Sequence, residues 1–542
     1  MPTKYVVVLG SLLSGLGKGI LTASIGKVLS LYGYNVLPVK FDGYLNYDCG
    51  TMNPFRHGEV FVLNDKSEVD MDFGTYERFL NIDIDGSSSI TGGKLFSEII
   101  AKERKGEFLG SDVQIIPHMT NYIIDRITNL AKDAKPDVML IEVGGTVGDI
   151  ENSYFIEAMR QLSQKEHVVF ITITYIPELE SVGEQKTKPT QIALRLLMQE
   201  GIKPDFLVTR SEKQLNEKAR AKLALFSNLD ENYIIDDHNM ENIYMVPLHL
   251  MEQKFDRLLL SKLNLEGTLK KDDLERWVAT VDVKRNQNVR IAIVGKYTAL
   301  RDSYASIKEA FDHAGMANQS NVEIEWIESE NLEGIGKEKV KEKLNGFDGV
   351  LVPGGFGKRG IEGMINAIEY ARTNKVPYLG ICLGMQLMTV EFARNVCNLE
   401  GANSTEFDEN TKYKVIDLME DQKSITYKGG TMRLGAWPLK IKQGTIAYNA
   451  YKSELVYERH RHRYEFNNEY REMLERNGLI ISGTTPDNLL VEMIEWKDSY
   501  GIGTQAHPEL QSRPLRPAPL FVSFVKKALE GKNAHGASGQ KA

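Results

Sequence analysis

The amino-acid sequence predicts an α/β protein of two domains, each built on a mostly parallel sheet covered by helices. The chain has 542 residues, which is more than one domain usually holds. Apolar, strand-like runs alternate with helix-length segments in both halves of the sequence. Between about residues 264 and 288 these runs give way to charged and polar sequence, which predicts a linker between the two series.

The N-terminal series has its apolar runs at residues 5–9, 36–39, 138–143, 168–173 and 206–209. The C-terminal series has its runs at residues 289–295, 349–353 and 377–381. We therefore predict a first domain at 1–265, a linker at 266–288 and a second domain at 289–530. Residues 531–542 contain no apolar side chain larger than that of alanine, so we predict a disordered tail.

Composition and charge exclude several classes of protein. The net charge is −8, which gives no general attraction for nucleic acid. The three scattered cysteines are too few for a disulfide framework, and no Cys/His spacing indicates structural zinc. Glycines and Lys18 interrupt the opening apolar run, and no stretch approaches the length of a membrane span. We expect a cytoplasmic protein that binds neither nucleic acid nor membrane.

A glycine-rich loop follows the first apolar run. The sequence Gly10-Ser-Leu-Leu-Ser-Gly-Leu-Gly-Lys-Gly19 joins that run to a helical pattern over residues 20–31. Glycines let the backbone wrap a phosphate, and the helix N-terminus and Lys18 supply positive charge. Leu12 and Gly19 depart from the common phosphate-loop pattern, and a glycine-rich turn without chemical function is the alternative.

Two acidic segments could together hold a metal ion. Glu68, Asp70 and Asp72 alternate, so they would share one face of an extended segment. Glu142 ends an apolar run just before Gly144-Gly-Thr-Val-Gly-Asp149, where the end of a strand would meet a cleft. Asp72 and Glu142 are suited to bind Mg2+ beside nucleotide phosphates. A solvated acidic face is the alternative interpretation.

A second anion site is indicated by Lys186-Thr-Lys-Pro-Thr-Gln191. This segment lies between an apolar strand and the helical run at residues 192–198, so its cations and hydroxyl groups lie at a helix start. It has the composition needed to bind a second triphosphate. An ordinary polar loop would have a similar sequence.

Cys382 lies at the end of an apolar strand, between Gly380 and Gly384, and a helical run begins at Met385. This arrangement is typical of a nucleophile elbow. The turn requires small neighbours, the helix start favours a thiolate, and the Leu383 amide can donate to an oxyanion. The alternative is a cysteine that only fills the core.

Two other segments favour the catalytic interpretation. The Gly355 amide lies in a glycine-rich turn and can point toward an oxyanion. In Gln505-Ala-His-Pro-Glu509, His507 can act as a base that Glu509 orients. Cys382, His507 and Glu509 then form a triad for acyl transfer through a thioester.

The segment Arg459-His-Arg-His-Arg463 has the composition of a nucleic-acid patch or a histidine metal site. In a strand, however, its arginines would share one face and its histidines the other, and the surrounding chain is acidic. Arginine is well suited to bind an amino-acid carboxylate. We therefore expect this segment to face a small amino-acid substrate.

These segments, in this order, resemble the CTP synthase family over nearly the whole chain. The most specific stretches are residues 14–19, 57–62, 76–79, 144–151, 186–191, 380–386, 403–406 and 459–465. The resemblance implies an N-terminal synthase (amidoligase) domain with a P-loop-like parallel sheet, similar to dethiobiotin synthetase. It also implies a C-terminal class I glutaminase domain.

The resemblance implies that ATP, with Mg2+ present, phosphorylates O4 of UTP, and that ammonia from glutamine displaces the phosphate to give CTP. Cys382, His507 and Glu509 would hydrolyse glutamine, and Asp72 and Glu142 would bind Mg2+. The residues expected to contact ATP are Ser14, Gly15, Leu16, Gly17, Lys18, Gly19, Ile20, Lys40 and Asp72. Those expected to contact UTP or CTP are Ser14, Asp149, Ile150, Glu151, Lys186, Thr187, Lys188, Pro189, Thr190, Gln191 and Lys222. Those expected to contact glutamine are Gly355, Leu383, Gly384, Met385, Gln386, Glu406 and Arg463.

Members of the family are inhibited by their product CTP, are activated by GTP and assemble as homotetramers, and many form filaments of tetramers. Ser11, Gly43 and Asn152 differ from the usual family pattern. None of these differences removes a charged or nucleophilic group. We therefore expect them to affect affinity more than activity.

Two competing interpretations remain open. A related amidoligase with the same two-domain plan, such as a cobyrinic-acid amidating enzyme, accounts less well for residues 186–191. A catalytically idle protein that forms filaments or has a regulatory role would be expected to have lost Cys382, His507 or the acidic pair. All of these residues are present.

Overall fold

The computed structural model describes residues 2–11, 13–179, 183–296, 301–418 and 432–539. The chain divides into two compact units. The first unit consists of residues 1–49 and 75–282, and the second consists of residues 50–74 and 283–542. Residues 50–74 therefore belong to the second unit although they lie within the sequence of the first.

Up to residue 282 the strands are β1 (Lys4–Gly10), β2 (Val36–Asp42), β3 (Phe61–Val62), β4 (Glu68–Val69), β5 (Ser89–Thr91), β6 (Val138–Val143), β7 (Val168–Tyr175), β8 (Glu178–Leu179), β9 (Glu184–Gln185), β10 (Phe206–Ser211) and β11 (Ile234–His238). The helices over the same range are α1 (Lys18–Leu31), α2 (Pro54–His57), α3 (Asp72–Leu80), α4 (Gly92–Arg104), α5 (Thr120–Ala134), α6 (Ser153–Leu162), α7 (Lys188–Gln199), α8 (Glu217–Ser227), α9 (Val246–Glu252), α10 (Phe255–Leu263) and α11 (Lys271–Val281).

The first unit is built on a parallel sheet. In the described part of the chain its order is β11–β10–β7–β1–β6–β2–β5, and every neighbouring pair is parallel. Helices cover both faces of such a sheet, which is why β1 and β6 are almost entirely aliphatic and buried. Since parallel neighbours run in one direction, the carboxyl ends of β1, β6 and β7 lie side by side, where ligands usually bind.

Residues 266–282 pack within the first unit. Helix α11 buries Trp277, whose Nε1 donates to the Tyr244 carbonyl oxygen at 3.2 Å. The Lys27 ammonium lies 4.1 Å from the centroid of the same ring. Most of the expected linker at 266–288 therefore lies inside the first unit. A mostly charged helix can pack there because it buries one large aromatic side chain. The expected domain boundaries stay predictions.

After residue 282 the strands are β12 (Gln287–Gly295), β13 (Ser320–Glu328), β14 (Gly349–Val352), β15 (Tyr378–Ile381), β16 (Asn403–Ser404), β17 (Lys414–Leu418), β18 (Arg433–Ile441), β19 (Leu455–His462), β20 (Tyr464–Phe466), β21 (Leu479–Thr484), β22 (Val491–Trp496) and β23 (Gly501–Thr504). The helices are α12 (Ala305–Asn318), α13 (Lys337–Leu344), α14 (Ile361–Thr373), α15 (Leu383–Asn395), α16 (Ile446–Tyr451), α17 (Arg471–Arg476) and α18 (Pro519–Gly539).

The second unit contains a mixed sheet. Across the residues that the structure describes, its order is β13–β12–β14–β15–β23–β22–β21–β18–β19. The pairs from β13 to β23 are parallel, and those from β23 to β19 are antiparallel. Strands β15 and β23 are direct neighbours, with Ile381 opposite Thr504. The residues that follow these two strands therefore emerge together at one edge of the sheet.

Residues 50–74 join the second unit through polar contacts. Arg459 Nε donates to Asn64 Oδ1 at 2.7 Å, and Arg461 Nε donates to Glu68 Oε1 at 2.9 Å. The Ala436 amide donates to the Asn64 carbonyl oxygen at 3.1 Å. A short segment can be held in this way because arginine side chains bind amide and carboxylate oxygens with defined geometry.

Glu68, Asp70 and Asp72 do not form the extended segment expected from the sequence. Strand β4 ends at Val69, and Asp70 Oδ1 accepts the Asp72 amide at 2.9 Å. This local turn leads directly into α3, whose first residue is Asp72. The prediction that the three carboxylates share one strand face was wrong, because the Asp70 side chain turns the chain into a helix.

The C-terminal helix α18 runs to Gly539, and residues 540–542 lie outside the described residues. The disordered tail expected from residue 531 stays a prediction. Within the described ranges, no helix is both long enough and apolar enough to cross a membrane.

Candidate active site

Cys382 lies in the turn between β15 and α15. Its φ of 51° and ψ of −100° are rare for a residue that carries a side chain. Neighbouring glycines leave room for this turn: a Cβ atom on Gly384 would lie 2.1 Å from the Val352 carbonyl oxygen, and one on Gly380 would lie 2.7 Å from the Gly384 backbone. The geometry is the strained elbow that the sequence predicts.

Helix α15 begins directly after Cys382, and Leu383, Gly384 and Met385 form its buried first turn. The first amides of a helix have no partner within the helix, so they can donate to a negatively charged oxygen nearby. The Tyr378 hydroxyl donates to the Gly384 carbonyl oxygen at 2.9 Å, and this hydrogen bond stabilises the turn. Predicted glutamine contacts thus lie directly after Cys382.

His507 and Glu509 lie in the turn after β23, next to the strand that ends before Cys382. His507 Nδ1 is 2.7 Å from Glu509 Oε1. Burial alone would lower the pKa of His507, but the neighbouring Glu509 and Cys382 raise that pKa to about 10. The raised pKa favours the protonated form of the His507 ring. A Cβ on Gly354 would lie 2.9 Å from its ring, so glycine is needed there.

Gln505 contacts Cys382, although the sequence analysis did not single it out. Its Nε2 lies 3.5 Å from Cys382 Sγ, and its Oε1 accepts from Gln386 Nε2 at 3.2 Å. Gln386 also donates to the Tyr464 carbonyl oxygen at 3.0 Å, which fixes the orientation of both amides. The available signal was the position of Gln505 two residues before His507, in the same short segment as the predicted base.

A cavity in the second unit opens beside Cys382. Its other lining residues are Pro54, Glu59, Val60, Ser303, Tyr304, Ile307, Gly354, Gly355, Phe356, Arg461, His507, Glu509 and Leu510. Gly355 was expected here from the sequence. The contribution of residues 54–60 was missed, because only the folded chain brings them beside Cys382.

The arginines and histidines of β19 point in opposite directions, as the strand pattern predicts. Arg459 and Arg461 bind side chains of residues 50–74, whereas His460 Nε2 is 2.9 Å from Glu492 Oε2 on the other side. Arg461 thus binds a carboxylate of the chain itself, that of Glu68. Arg463, the predicted glutamine contact, lies just after β19 and is partly buried.

Glu406 holds the loop that carries Gly355. Its Oε1 accepts the Gly357 amide at 2.8 Å. Burial raises the pKa of Glu406, while this hydrogen bond and the charge of Lys296 act in the opposite direction. The contact links a predicted glutamine-binding carboxylate to the turn whose amide is expected to face the oxyanion.

In the first unit, an open loop joins β1 to α1. Gly15 and Gly17 have φ values of 73° and 85°, and no atom lies within 4 Å of the Cβ position of either residue. Lys18 starts α1, and its Nζ donates to the Gly145 carbonyl oxygen at 2.6 Å. Free space in front of a helix N-terminus, beside a lysine, fits a phosphate group. Ser14 and Leu16 lie in this loop, Gly19 and Ile20 lie in the first turn of α1, and Leu12 lies outside the described residues.

Glu142 lies near the end of β6 and is buried. Its Oε2 accepts the Tyr76 hydroxyl at 2.5 Å, and its Oε1 is 3.6 Å from the Nζ of Lys40 on β2. Carboxylate oxygens are the ligands that Mg2+ prefers, so the donor chemistry of Glu142 fits this ion. Asp72 is assigned to the second unit and Glu142 to the first. Their joint role in metal binding stays a prediction.

A cluster of lysines surrounds Glu184. The Nζ atoms of Lys186, Lys218 and Lys222 lie 2.6, 3.9 and 3.9 Å from its carboxylate oxygens. The hydrogen bond from Lys186, followed by the lysine charges, lowers the pKa of Glu184. Three cations around one carboxylate leave excess positive charge, which suits a triphosphate. Lys186 and Lys222 were predicted, and Lys218 was missed although it lies one helical turn before Lys222.

Residues 186–191 lead into α7 and contact the strand end beside the phosphate loop. Thr174 Oγ1 is 2.9 Å from Ser11 Oγ and 3.0 Å from Thr190 Oγ1. Gln191 Nε2 donates to Thr187 Oγ1 at 3.1 Å. A chain of hydroxyl groups therefore connects the phosphate loop with the second predicted anion segment. Lys188 and Pro189 form the first turn of α7.

The segment predicted to contact CTP presents exposed side chains. Ile150 and Glu151 are exposed at the start of a short helix, and Asp149 Oδ2 accepts the Thr146 amide at 2.8 Å. The following residue, Asn152, is buried, and a Cβ on Gly43 would lie 2.4 Å from its Oδ1. Gly43 and Asn152, two of the positions that differ from the family pattern, are therefore neighbours. The absence of a side chain at Gly43 leaves room for the Asn152 side-chain amide.

The mixed sheet, the strained elbow at Cys382 and the His507–Glu509 pair beside it define the second unit as a class I glutamine amidotransferase domain. The family model for class I glutamine amidotransferases matches residues 299–527, and the model for the CTP synthase N-terminus matches residues 4–265. The chain belongs to the CTP synthase family.

The family assignment rests on relatives that align over nearly the full chain. The chain is 52% identical to the CTP synthase of Caldanaerobacter subterraneus subsp. tengcongensis, over 98% of this chain and 99% of that protein. It is 51% identical to the CTP synthase of Pyrococcus furiosus, over 98% of each chain. Among solved structures, the glutaminase domain of Trypanosoma brucei CTPS with bound acivicin is 40% identical. That alignment covers 45% of this chain and 94% of that chain, with a TM-score of 0.43.

Proposed function

We propose that the chain forms CTP from UTP, with ATP as phosphoryl donor and glutamine as the source of nitrogen. The observation that carries the proposal is the combination, in one chain, of an open phosphate loop before α1 and a cysteine elbow beside the His507–Glu509 pair. An ATP-driven amination that uses glutamine needs both chemistries.

In the second unit, Cys382 Sγ attacks the side-chain amide carbon of glutamine. His507 donates its proton to the departing nitrogen, so that ammonia leaves and a thioester remains. His507 then accepts a proton from the water that attacks the thioester, and glutamate and the cysteine sulfur are released. The amides of Gly355 and Leu383 stabilise the oxyanion in both steps. Glu509 stabilises the positive charge that His507 carries before the first proton transfer and after the second.

In the first unit, the phosphates of ATP bind at residues 14–20, beside Lys18 and Lys40. Glu142 of this unit and Asp72 are the residues that would hold Mg2+, which would neutralise phosphate charge. UTP binds at residues 186–191 and Lys222, where the lysine cluster attracts its triphosphate. O4 of UTP accepts the γ-phosphoryl group of ATP, and ADP is released. Ammonia then attacks C4 and displaces the phosphorylated oxygen as phosphate.

We extend the proposal to regulation and assembly. CTP, as product and inhibitor, binds through Asp149, Ile150 and Glu151, which are supported in this role by the exposure of the last two side chains. GTP activates the glutaminase reaction, and the protein works as a homotetramer, as members of the family do. Family membership supports this part of the proposal.

The test is chromatographic detection of CTP from UTP, with ATP, Mg2+ and GTP present, and with either glutamine or ammonium as nitrogen donor. We expect CTP from both donors. The absence of CTP with either donor, from protein shown to be folded by circular dichroism, would refute the synthase assignment. CTP from ammonium alone would refute only the glutaminase part of the proposal.

A further inference from the structure

Three side chains with metal-binding atoms converge in the first unit, on an edge strand of its sheet. Asp236 and His238 lie two residues apart in β11, so they point to the same face of that strand. His249 lies in α9, which packs on β11. One carboxylate oxygen and one ring nitrogen from each histidine all lie within 4.8 Å of one another.

The separations between these atoms are close to those of a metal site. Asp236 Oδ2 is 2.7 Å from His238 Nδ1 and 3.6 Å from His249 Nε2. In a tetrahedral zinc site with bonds of about 2.1 Å, neighbouring ligand atoms are about 3.4 Å apart. The two observed distances lie on either side of this value. Small side-chain rotations therefore bring both histidines to the distance that an ion requires.

Surrounding groups contact Asp236 and His249. Asp236 Oδ1 accepts the Leu215 amide at 3.1 Å, which leaves Oδ2 directed at the histidines. The Gln253 side chain accepts from the Asp236 amide and donates to its carbonyl oxygen, both at 2.8 Å. His249 Nδ1 lies 3.7 Å from a Glu252 carboxylate oxygen, on the ring edge opposite Nε2. Such outer contacts orient metal ligands and increase their basicity.

We propose that Asp236, His238 and His249 bind one divalent transition-metal ion of the zinc class. Two imidazole nitrogens and one carboxylate oxygen suit Zn2+, whereas Mg2+ prefers oxygen ligands alone. Three protein ligands leave a fourth position for water. The His238 side chain is 29% exposed, so an ion can enter from solvent, whereas the Asp236 side chain is only 2% exposed.

The ion would connect the edge strand β11 to helix α9. Among the strands that the structure describes, β11 has a hydrogen-bonded neighbour on one side only, since it ends the order of the sheet. A bond from each element to one ion would therefore stabilise this edge against local opening. This inference does not depend on the proposed function, because none of the three residues belongs to the sites described above.

The experiment uses the full chain after removal of metals with a chelator and alkylation of its thiols. Bound Zn2+ is measured by equilibrium dialysis and atomic emission, with excess Mg2+ present. We compare the parent chain with His249→Leu and with His238→Asn, a milder change at a partly exposed position. His118→Asn serves as the matched control, because His118 is a partly exposed histidine elsewhere in the first unit.

We expect the parent chain and His118→Asn each to bind one more equivalent of Zn2+ than either site variant binds. In His249→Leu and His238→Asn, the affinity for this equivalent should fall at least about tenfold. Zn2+ should raise the Tm of the parent chain and leave that of the site variants unchanged. Bound Co2+ should show the strong visible absorption of a four-coordinate ion. Equal Zn2+ binding and equal Tm shifts in all four proteins would overturn the proposal, and would leave a cluster held by hydrogen bonds alone.

Discussion

Replacing Glu509 with glutamine removes a negative charge from beside His507 while nearly preserving side-chain size. The Glu509 Oε1 atom lies 2.7 Å from His507 Nδ1 in the parent chain. The glutamine side chain can still accept a hydrogen bond at this position. The substitution therefore tests the effect of the charge more than that of shape.

The structure sets the scale of the expected effect. The rise in the pKa of His507 from 6.5 to about 10 corresponds to about 5 kcal/mol in favour of the imidazolium. Burial opposes this rise, and Glu509 is the largest of the charges that produce it. We expect Glu509→Gln to lower kcat/KM for glutamine hydrolysis by about 10²- to 10⁴-fold, or about 3–5 kcal/mol.

The pH dependence gives an independent test of the same reasoning. A raised pKa means that the imidazolium is present below the folded-state pKa and is lost as the pH rises through it. In the parent chain the pKa of about 10 puts this expected loss in the alkaline range. In Glu509→Gln it should occur at lower pH, so the alkaline limb of the kcat/KM profile should move toward neutrality.

The assay is glutamate release across the neutral and alkaline range. Glu495→Gln is the matched control, because Glu495 is also buried but accepts the Ile446 and Ala447 amides, both at 2.8 Å. It should leave the profile unchanged. CTP formation from added ammonium should survive Glu509→Gln. A Glu509→Gln protein with the parent rate and the parent profile would refute the reasoning.

Three further predictions follow from other contacts. Cys382→Ala should abolish CTP formation from glutamine but spare that from ammonium, because the two chemistries lie in different units; chromatography showing equal loss of both would contradict this. Gly384→Ala would place a Cβ 2.1 Å from the Val352 carbonyl oxygen, so the elbow must shift. We expect at least about tenfold slower glutamate release and a lower Tm by calorimetry, and a parent-like variant would argue against a tight turn. Lys222→Met removes one cation near Glu184 and should raise KM for UTP without changing KM for glutamine, whereas an unchanged KM for UTP would separate Lys222 from the nucleotide.

The central strands could be predicted from the sequence, but the sheet edges could not. Strands β1, β6 and β7 are buried on both faces and read as continuous apolar runs. Strand β5 has only three residues, and β11 contains two aspartates and a histidine within five residues. Both edge strands are specified by their neighbours in the folded chain more than by their own composition.

The candidate sites divide in a similar way. Cys382, His507 and Glu509 were found because an elbow and a short His-Pro-Glu segment are local patterns. Gln505 and Lys218 were missed, since their positions matter only after parallel strands or successive helical turns bring them beside the residues that the motifs mark. The nucleotide contacts stay predictions, because a triphosphate site depends on its ligand as much as on the side chains around it.

The placement of residues 50–74 bears on how the gene for such a protein can be divided or exchanged. A chain that starts at Val283 would lack Asn64 and Glu68, the acceptors for Arg459 and Arg461. Depriving a buried charged group of its partner typically costs about 3–5 kcal/mol. A single recombination point near the codon for Val283 would therefore transfer the second unit without residues 50–74. A complete second unit is inherited only together with the N-terminal half of the gene.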